Sequence, residues 1–238
     1  MKAIYRRELG AYFTSSIGYV FLGVFYFYCG LSFTFSSLFA LTYDMSEAFS
    51  LAFTALIFLI PILTMKLFSE EKKQRTEQCL LTAPISLPSM VLGKFFAALT
   101  LYTAGIAVYF IFAVILSFFA PAFGWIPVLS NFLALFLVGA AFTAIGAFIS
   151  SLTENQVVAA VTSCIALMVI WLLDSMASFI TLDFLSWLPK LLMSLSFYSK
   201  YAEFTSGIFN LSSVLFYISA VVIFLFLTVR VSEKRRWS

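Results

Sequence analysis

FFAALTLYTAGIAVYFIFAVILSFFAPAFGWIPVLSNFLALFLVGAAFTAIGAFISSLT, residues 95–153, contains no charged side chain. A bilayer's hydrocarbon is about 30 Å thick and takes about 20 helical residues to cross, so this run is too long for one helix and suits two. The break falls at PAFGWIP, 121–127, where Pro121, Gly124 and Pro127 interrupt a helix and Trp125 suits a membrane interface. The pattern predicts one span over about 95–119 and another over about 129–150.

The same measure applied outward finds four more spans. One lies over about 17–40, between Glu8 and Asp44, and another over about 48–65, between Glu47 and Lys66, with Pro61 as a kink near its end. The last two lie over about 156–173 and 212–229. A hydrophobic fraction of 63% and a mean hydropathy of +1.05 agree with this, since soluble domains hold about 45–50% apolar residues. The short alternating segments of a β-barrel are absent. The expected fold is an all-α integral membrane protein of six transmembrane helices, forming one transmembrane domain over 1–238.

The stretch before the first span, MKAIYRRELGAYF, sets Lys2, Arg6 and Arg7 among apolar residues, as in a helix lying in the membrane interface. The apolar run after it is long and lacks a small-residue cleavage site, which reads as an uncleaved helix. Six spans put both termini on one side. With that side inward, Lys190 and Lys200 are the two of the 14 basic residues left outside, so the positive-inside rule makes both termini cytoplasmic. Residues 174–211 are too long for a turn, and DFLSWLPKLLMSLSFYSKYAEF within them is amphipathic. One or two short helices on the outer leaflet are expected there, with an ordered loop as the plainer reading.

The segment KLFSEEKKQRTEQCLLTAPIS, 66–86, joins spans two and three. It packs Lys66, Glu70, Glu71, Lys72, Lys73, Arg75 and Glu77 into a chain with 11% charged residues. A topology signal needs only a few lysines. Alternating signs over two helical turns suit a helix that docks on a soluble partner, with Cys79, Leu80 and Leu81 buried behind it. A solvated loop is the plainer alternative. In SSLTENQ, 150–156, Thr153 and Gln156 are spaced as a capping box that starts span five. Gly139, Thr143, Gly146 and Ser150 form a stripe of small residues on span four, fitted to close packing either within one subunit or between subunits.

Catalytic equipment is sparse. Without histidine the chain assembles no His-based triad, zinc site or proton relay. LGKFF, 92–96, lacks the rest of a phosphate-binding loop. No charged residue lies well inside a span apart from Asp174 at the outer end of span five, so ion-coupled transport has little to work with. Cys29, Cys79 and Cys164 lie far apart and show no disulfide or metal spacing. A net charge of +3 gives no nucleic-acid footprint.

The basic N-terminal helix, the six spans, the inner-loop pattern SEEKKQRTEQCLLTAPIS followed by VLGK, and the later SSLTENQVVAA together resemble a permease subunit of the ABC-2 class of ATP-binding-cassette transporters. Within that class RRELGAYFTSSIGYVFLGVFYFYCGLSF, 6–33, most resembles the gliding-motility-associated permeases. The resemblance implies a coupling helix over about Ser69–Leu81 that contacts an ATP-binding subunit through Glu70, Glu71, Arg75, Thr76 and Glu77. Thr153 and Glu154 of the next inner turn would lie near the same surface, and short outer helices within 175–210. It also implies a second permease, identical or related, and a bacterial inner membrane around both. No cofactor is expected in this chain, because ATP is bound by the partner subunit. The function implied is half of an ATP-driven exporter or flippase. A membrane scaffold that anchors a soluble partner would use the same charged loop, and a secondary transporter would show internal repeats that the halves of this chain lack.

Overall fold

The computed structural model describes residues 1–74, 76, 86–119, 123–179, 194, 196–205 and 210–236. These residues are helical throughout, with short connections and no β-strand among them. Helix α1 covers Lys2–Thr14 and α2 Ser16–Phe33, the latter widening into π-helical turns as far as Phe39. Helices α3 (Ser46–Thr64) and α4 (Lys66–Lys73) follow almost without interruption. Next come α5 (Leu87–Ile106), α6 (Val108–Phe119), α7 (Trp125–Leu152), α8 (Gln156–Phe179), α9 (Phe197–Thr205) and α10 (Leu211–Arg236). Among the described residues, six segments are long and apolar enough to cross a membrane: Ser16–Phe39, Ser46–Lys73, Leu87–Phe119, Trp125–Leu152, Gln156–Leu173 and Leu211–Arg236. The protein is an all-α integral membrane protein.

One boundary differs from the sequence reading. The helix of the second crossing does not stop before Lys66: after a discontinuity at Met65 it continues as α4 to Lys73, with Pro61 inside α3. Of the outer segment 174–211, α9 is one short helix, while 180–193, 195 and 206–209 lie outside the described residues.

Helix α7 is the axis of the bundle. It packs against α3, α4, α5, α8, α9 and α10 and is the most enclosed of the six crossings, whereas α8 and α10 face outward. Its stripe of small residues explains how so many neighbours fit. A Cβ on Gly139 would collide with the Tyr102 ring of α5, and one on Gly146 with the Thr64 side chain of α3. Thr143 and Ser150 complete the stripe and are buried. The stripe thus seats α3 and α5 of the same chain, by the close approach that glycine allows.

Helix α3 is held from four sides by tyrosines. A phenol buried in an apolar interior needs a partner, and a helix carbonyl has a second lone pair to offer. Tyr109 of α6 donates to Ala48 O (3.2 Å), Tyr201 of α9 to Phe49 O (2.8 Å), Tyr28 of α2 to Leu51 O (3.1 Å) and Tyr12 of α1 to Leu63 O (2.9 Å). These bonds add polar ties between helices that pack through apolar side chains.

At the end of the bundle away from the termini, Glu203 of α9 ties itself to α10. Its Oε2 accepts from Ser213 Oγ (2.5 Å) and Asn210 Nδ2 (3.1 Å), and its Oε1 from Lys200 Nζ (3.3 Å). The Ser213 hydrogen bond, then Lys200 and Asn210, hold this carboxyl below the ordinary 4.5 against the opposing effect of burial. A depressed folded-state value stabilises the fold at pH above the unfolded value and is lost as pH falls through the folded one. Thermal unfolding in detergent is therefore expected to show extra acid sensitivity below pH 4.5, which Glu203→Gln removes.

Candidate functional site

A charged cluster forms where α1, α4 and α5 meet, at the end of the bundle that carries the termini. Lys94 points inward from α5 and is 1% exposed. Its Nζ lies 2.9 Å from Glu71 Oε1 and 3.2 Å from Glu8 Oε1, and donates to Leu67 O at 2.8 Å. Arg7 closes the ring, its Nη2 lying 2.6 Å from both Glu8 Oε1 and Glu71 Oε1. Two cations and two carboxylates leave no net charge. That balance offsets the cost of withdrawing a lysine from water, which an unpaired ammonium could not meet. Hydrogen bonding to Glu8, with the charges of Glu8 and Glu71, raises the Arg7 pKa above its ordinary value despite partial burial. Burial also pushes the Tyr12 phenol upward.

Helix α4 is fastened to α7 as well. Ser150 Oγ donates to Met65 O (3.0 Å) and accepts from Phe68 N (3.2 Å) and Ser69 N (3.3 Å), so one hydroxyl is inserted into the backbone ladder at the α3–α4 junction. Such an insertion interrupts a helix without unwinding it. One turn further, Lys72 lies along α7 and its Nζ donates to Ser151 O. On the α1 side Lys66 Nζ donates to Ser15 Oγ (2.8 Å) and lies over the Tyr12 ring. Helix α4 is therefore bound to α1, α5 and α7 through polar groups at once. Beside it opens a cleft of about 460 Å³, lined in part by Glu70, Gln74 and Thr76.

The sequence-predicted residues fall into three groups. Glu70 and Thr76 are on the outside, Glu70 accepting from Gln74 Nε2 at 3.4 Å and Thr76 N donating to Glu71 O at 3.0 Å. Glu71 is turned inward and takes part in the ring. Arg75, Glu77, Cys79, Leu80 and Leu81 lie outside the described residues. In the α7–α8 turn Glu154 is exposed, close in sequence to the Ser151 carbonyl that Lys72 reaches. The capping box expected at Thr153 is not formed: its buried Oγ1 has no partner among the described residues, and Asn155 Oδ1 caps α8 by accepting from Val157 N at 2.9 Å. Asparagine is at least as good an N-cap as threonine and stands one position before Gln156, the first helical residue.

Sequence reasoning missed Arg7, Glu8 and Lys94 as parts of this site, taking the two basic residues for topology signals. A signal was available. Lys94 stands in LPSMVLGKFFAALTL with apolar neighbours on both sides, and a lysine on such a helix face needs an acidic partner from elsewhere.

Among known protein families, a model described as ABC-2 family transporter protein matches residues 40–232. The match takes in Glu71, Lys94 and the whole of α7, and begins after Arg7 and Glu8. No curated protein matches the chain.

Proposed function

The chain belongs to the ABC-2 family of transporter proteins and is thus a membrane permease subunit of an ABC transporter, and on that premise we propose that a separate ATP-binding subunit docks on α4 and the residues after it to drive export or flipping. The observation that carries this reading is the fastening of α4 to α1, α5 and α7 by Arg7, Lys94, Ser150 and Lys72. Displacement of a rigid element shifts whatever it is bonded to, so a push on α4 is delivered to three parts of the bundle together. Lys72 and the ring around Lys94 carry the push inward. Glu70, Thr76 and Glu154 are on the outside, and the partner contacts them together with Arg75 and Glu77.

The distribution of basic residues supports a cytoplasmic setting for this end, where ATP is available, in a bacterial inner membrane. The partner binds the ATP, and this chain supplies the path and no cofactor of its own. A second permease, identical or related, completes the path on the far side. The resemblance of residues 6–33 favours the gliding-motility-associated permeases as the nearest branch.

Co-expression with an ATP-binding subunit encoded beside this chain, tagged on the ATPase alone, tests the docking surface. The wild-type permease is expected to co-purify. Glu70→Lys, Arg75→Glu and Glu77→Lys are each expected to lower the recovered permease by about tenfold, equivalent to roughly 1.4 kcal/mol of binding. Failure of the wild-type pair to associate, or silence of all three reversals in protein that reaches the membrane, overturns the proposal.

A further inference from the structure

A second polar site lies at the opposite end of the bundle, far from α4 and independent of any ATPase. A cleft of about 380 Å³ opens between the turn before α3, the start of α7 and the end of α9, with Tyr43, Asp44, Ser46, Phe123, Asn131 and Thr205 in its wall. We infer that this cleft binds a primary ammonium group, held between the Asp44 carboxylate and the Asn131 amide.

Three observations lead there. Asn131 is 1% exposed, yet its Oδ1 has no hydrogen-bond partner among the described residues. Buried polar atoms in native proteins nearly always find a partner, and a residue of a cleft wall whose oxygen lacks one is a place for a ligand's donor. The terminal torsion of an asparagine is broad, so the amide is able to turn that oxygen toward the cleft. Asp44 is the one charged residue in the cleft wall and makes no ion pair among the described residues. Its carboxylate is nonetheless held in place: Oδ1 accepts from Ser46 N at 2.9 Å, and Ser37 Oγ donates to its main-chain carbonyl at 3.5 Å. Lastly, Tyr43 and Phe123 are in the same wall, and aromatic rings attract cations.

A negative charge, an orphan acceptor and aromatic walls match a cation that also donates hydrogen bonds. A quaternary ammonium satisfies the charge and not Asn131, whereas a polyol satisfies Asn131 and leaves Asp44 without a counter-ion. A primary ammonium satisfies both. The volume takes a group of several heavy atoms, given about 30 Å³ for one water. Such a group occurs on lipid headgroups and on free amines.

Isothermal titration of the full chain in phosphatidylcholine nanodiscs, with ethanolamine, choline and ethylene glycol at equal ionic strength, tests the site. Ethanolamine is expected to bind saturably at one site per chain, choline at least about tenfold more weakly and ethylene glycol not at all, a tenfold change being about 1.4 kcal/mol. Asp44→Asn and Asn131→Leu should each lower ethanolamine affinity by a similar factor. Asp44 is exposed and its substitution spares the fold, so the test stands even where Asn131→Leu mispacks. Nanodiscs containing phosphatidylethanolamine separate the sources: competition with added ethanolamine assigns the headgroup, and coincident isotherms assign a soluble amine. Absence of saturable binding to the wild type, equal binding of choline, or wild-type binding by Asp44→Asn overturns the inference and leaves an ordinary hydrated cleft.

Discussion

Lys94→Met is expected to destabilise the protein and to uncouple it from its ATPase while leaving the two associated. The side chain is almost fully enclosed, and its ammonium serves Glu8, Glu71 and the Leu67 carbonyl together. Without it both carboxylates depend on Arg7, whose side chain is half exposed. Removing one partner of a buried pair costs about 3–5 kcal/mol, and partial exposure of the two carboxylates places this case near the lower figure. Glu71→Gln alone removes one carboxylate from the same ring. The double variant Lys94→Met/Glu71→Gln should lose less stability than the two single changes together, by about 0.5–3 kcal/mol, because it leaves one uncompensated carboxylate fewer. Unfolding in detergent reads the stability, and substrate-stimulated ATP turnover of the complex reads the coupling. Strict additivity, or wild-type stimulation in Lys94→Met, would remove the ring from the account.

Gly146→Leu is expected to abolish a folded product. Even a Cβ at this position collides with Thr64 Oγ1 and comes to 2.9 Å of Thr64 Cβ. A leucine would force α7 from α3 beside the junction that Ser150 bridges. Gly146→Ala is the graded version. Overpacking costs about 1–3 kcal/mol, against which helix propensity returns up to about 1 kcal/mol, so the melting temperature should fall. Gly23→Ala and Gly30→Ala are the controls, since nothing lies within 4 Å of a Cβ at either. Those two should match or slightly exceed the wild type. A fall common to all three would mean that glycine matters here for helix flexibility and not for close approach.

These two sites mark where sequence reading succeeds and where it stops. The crossings were legible because a span needs about 20 apolar residues and the chain supplies them in separated runs. The continuation of the second span's helix into α4 was not, since Glu71 and Lys72 count as hydrophilic in any local window while the fold pairs both inward. The stripe of α7 was legible as a helical face, because spacing fixes which residues align. Whether it met another helix of the same chain or a second subunit depended on Tyr102 and Thr64, distant in sequence. The ring at Lys94 joins residues 8, 71 and 94, a relation that no periodicity encodes. At the α7–α8 turn the spacing pointed to Thr153 as the cap, and the backbone uses Asn155, two positions later.

The central claim, that the outer end of α4 meets the ATP-binding subunit, is tested most directly by site-specific photocrosslinking in the intact membrane. A photoreactive side chain would be placed at Thr76, just beyond α4, or at Leu41, which is 86% exposed at the opposite end of the bundle. The account predicts an adduct with the ATP-binding subunit from position 76 and none from position 41. No adduct from position 76, or adducts of equal yield from both, would contradict it.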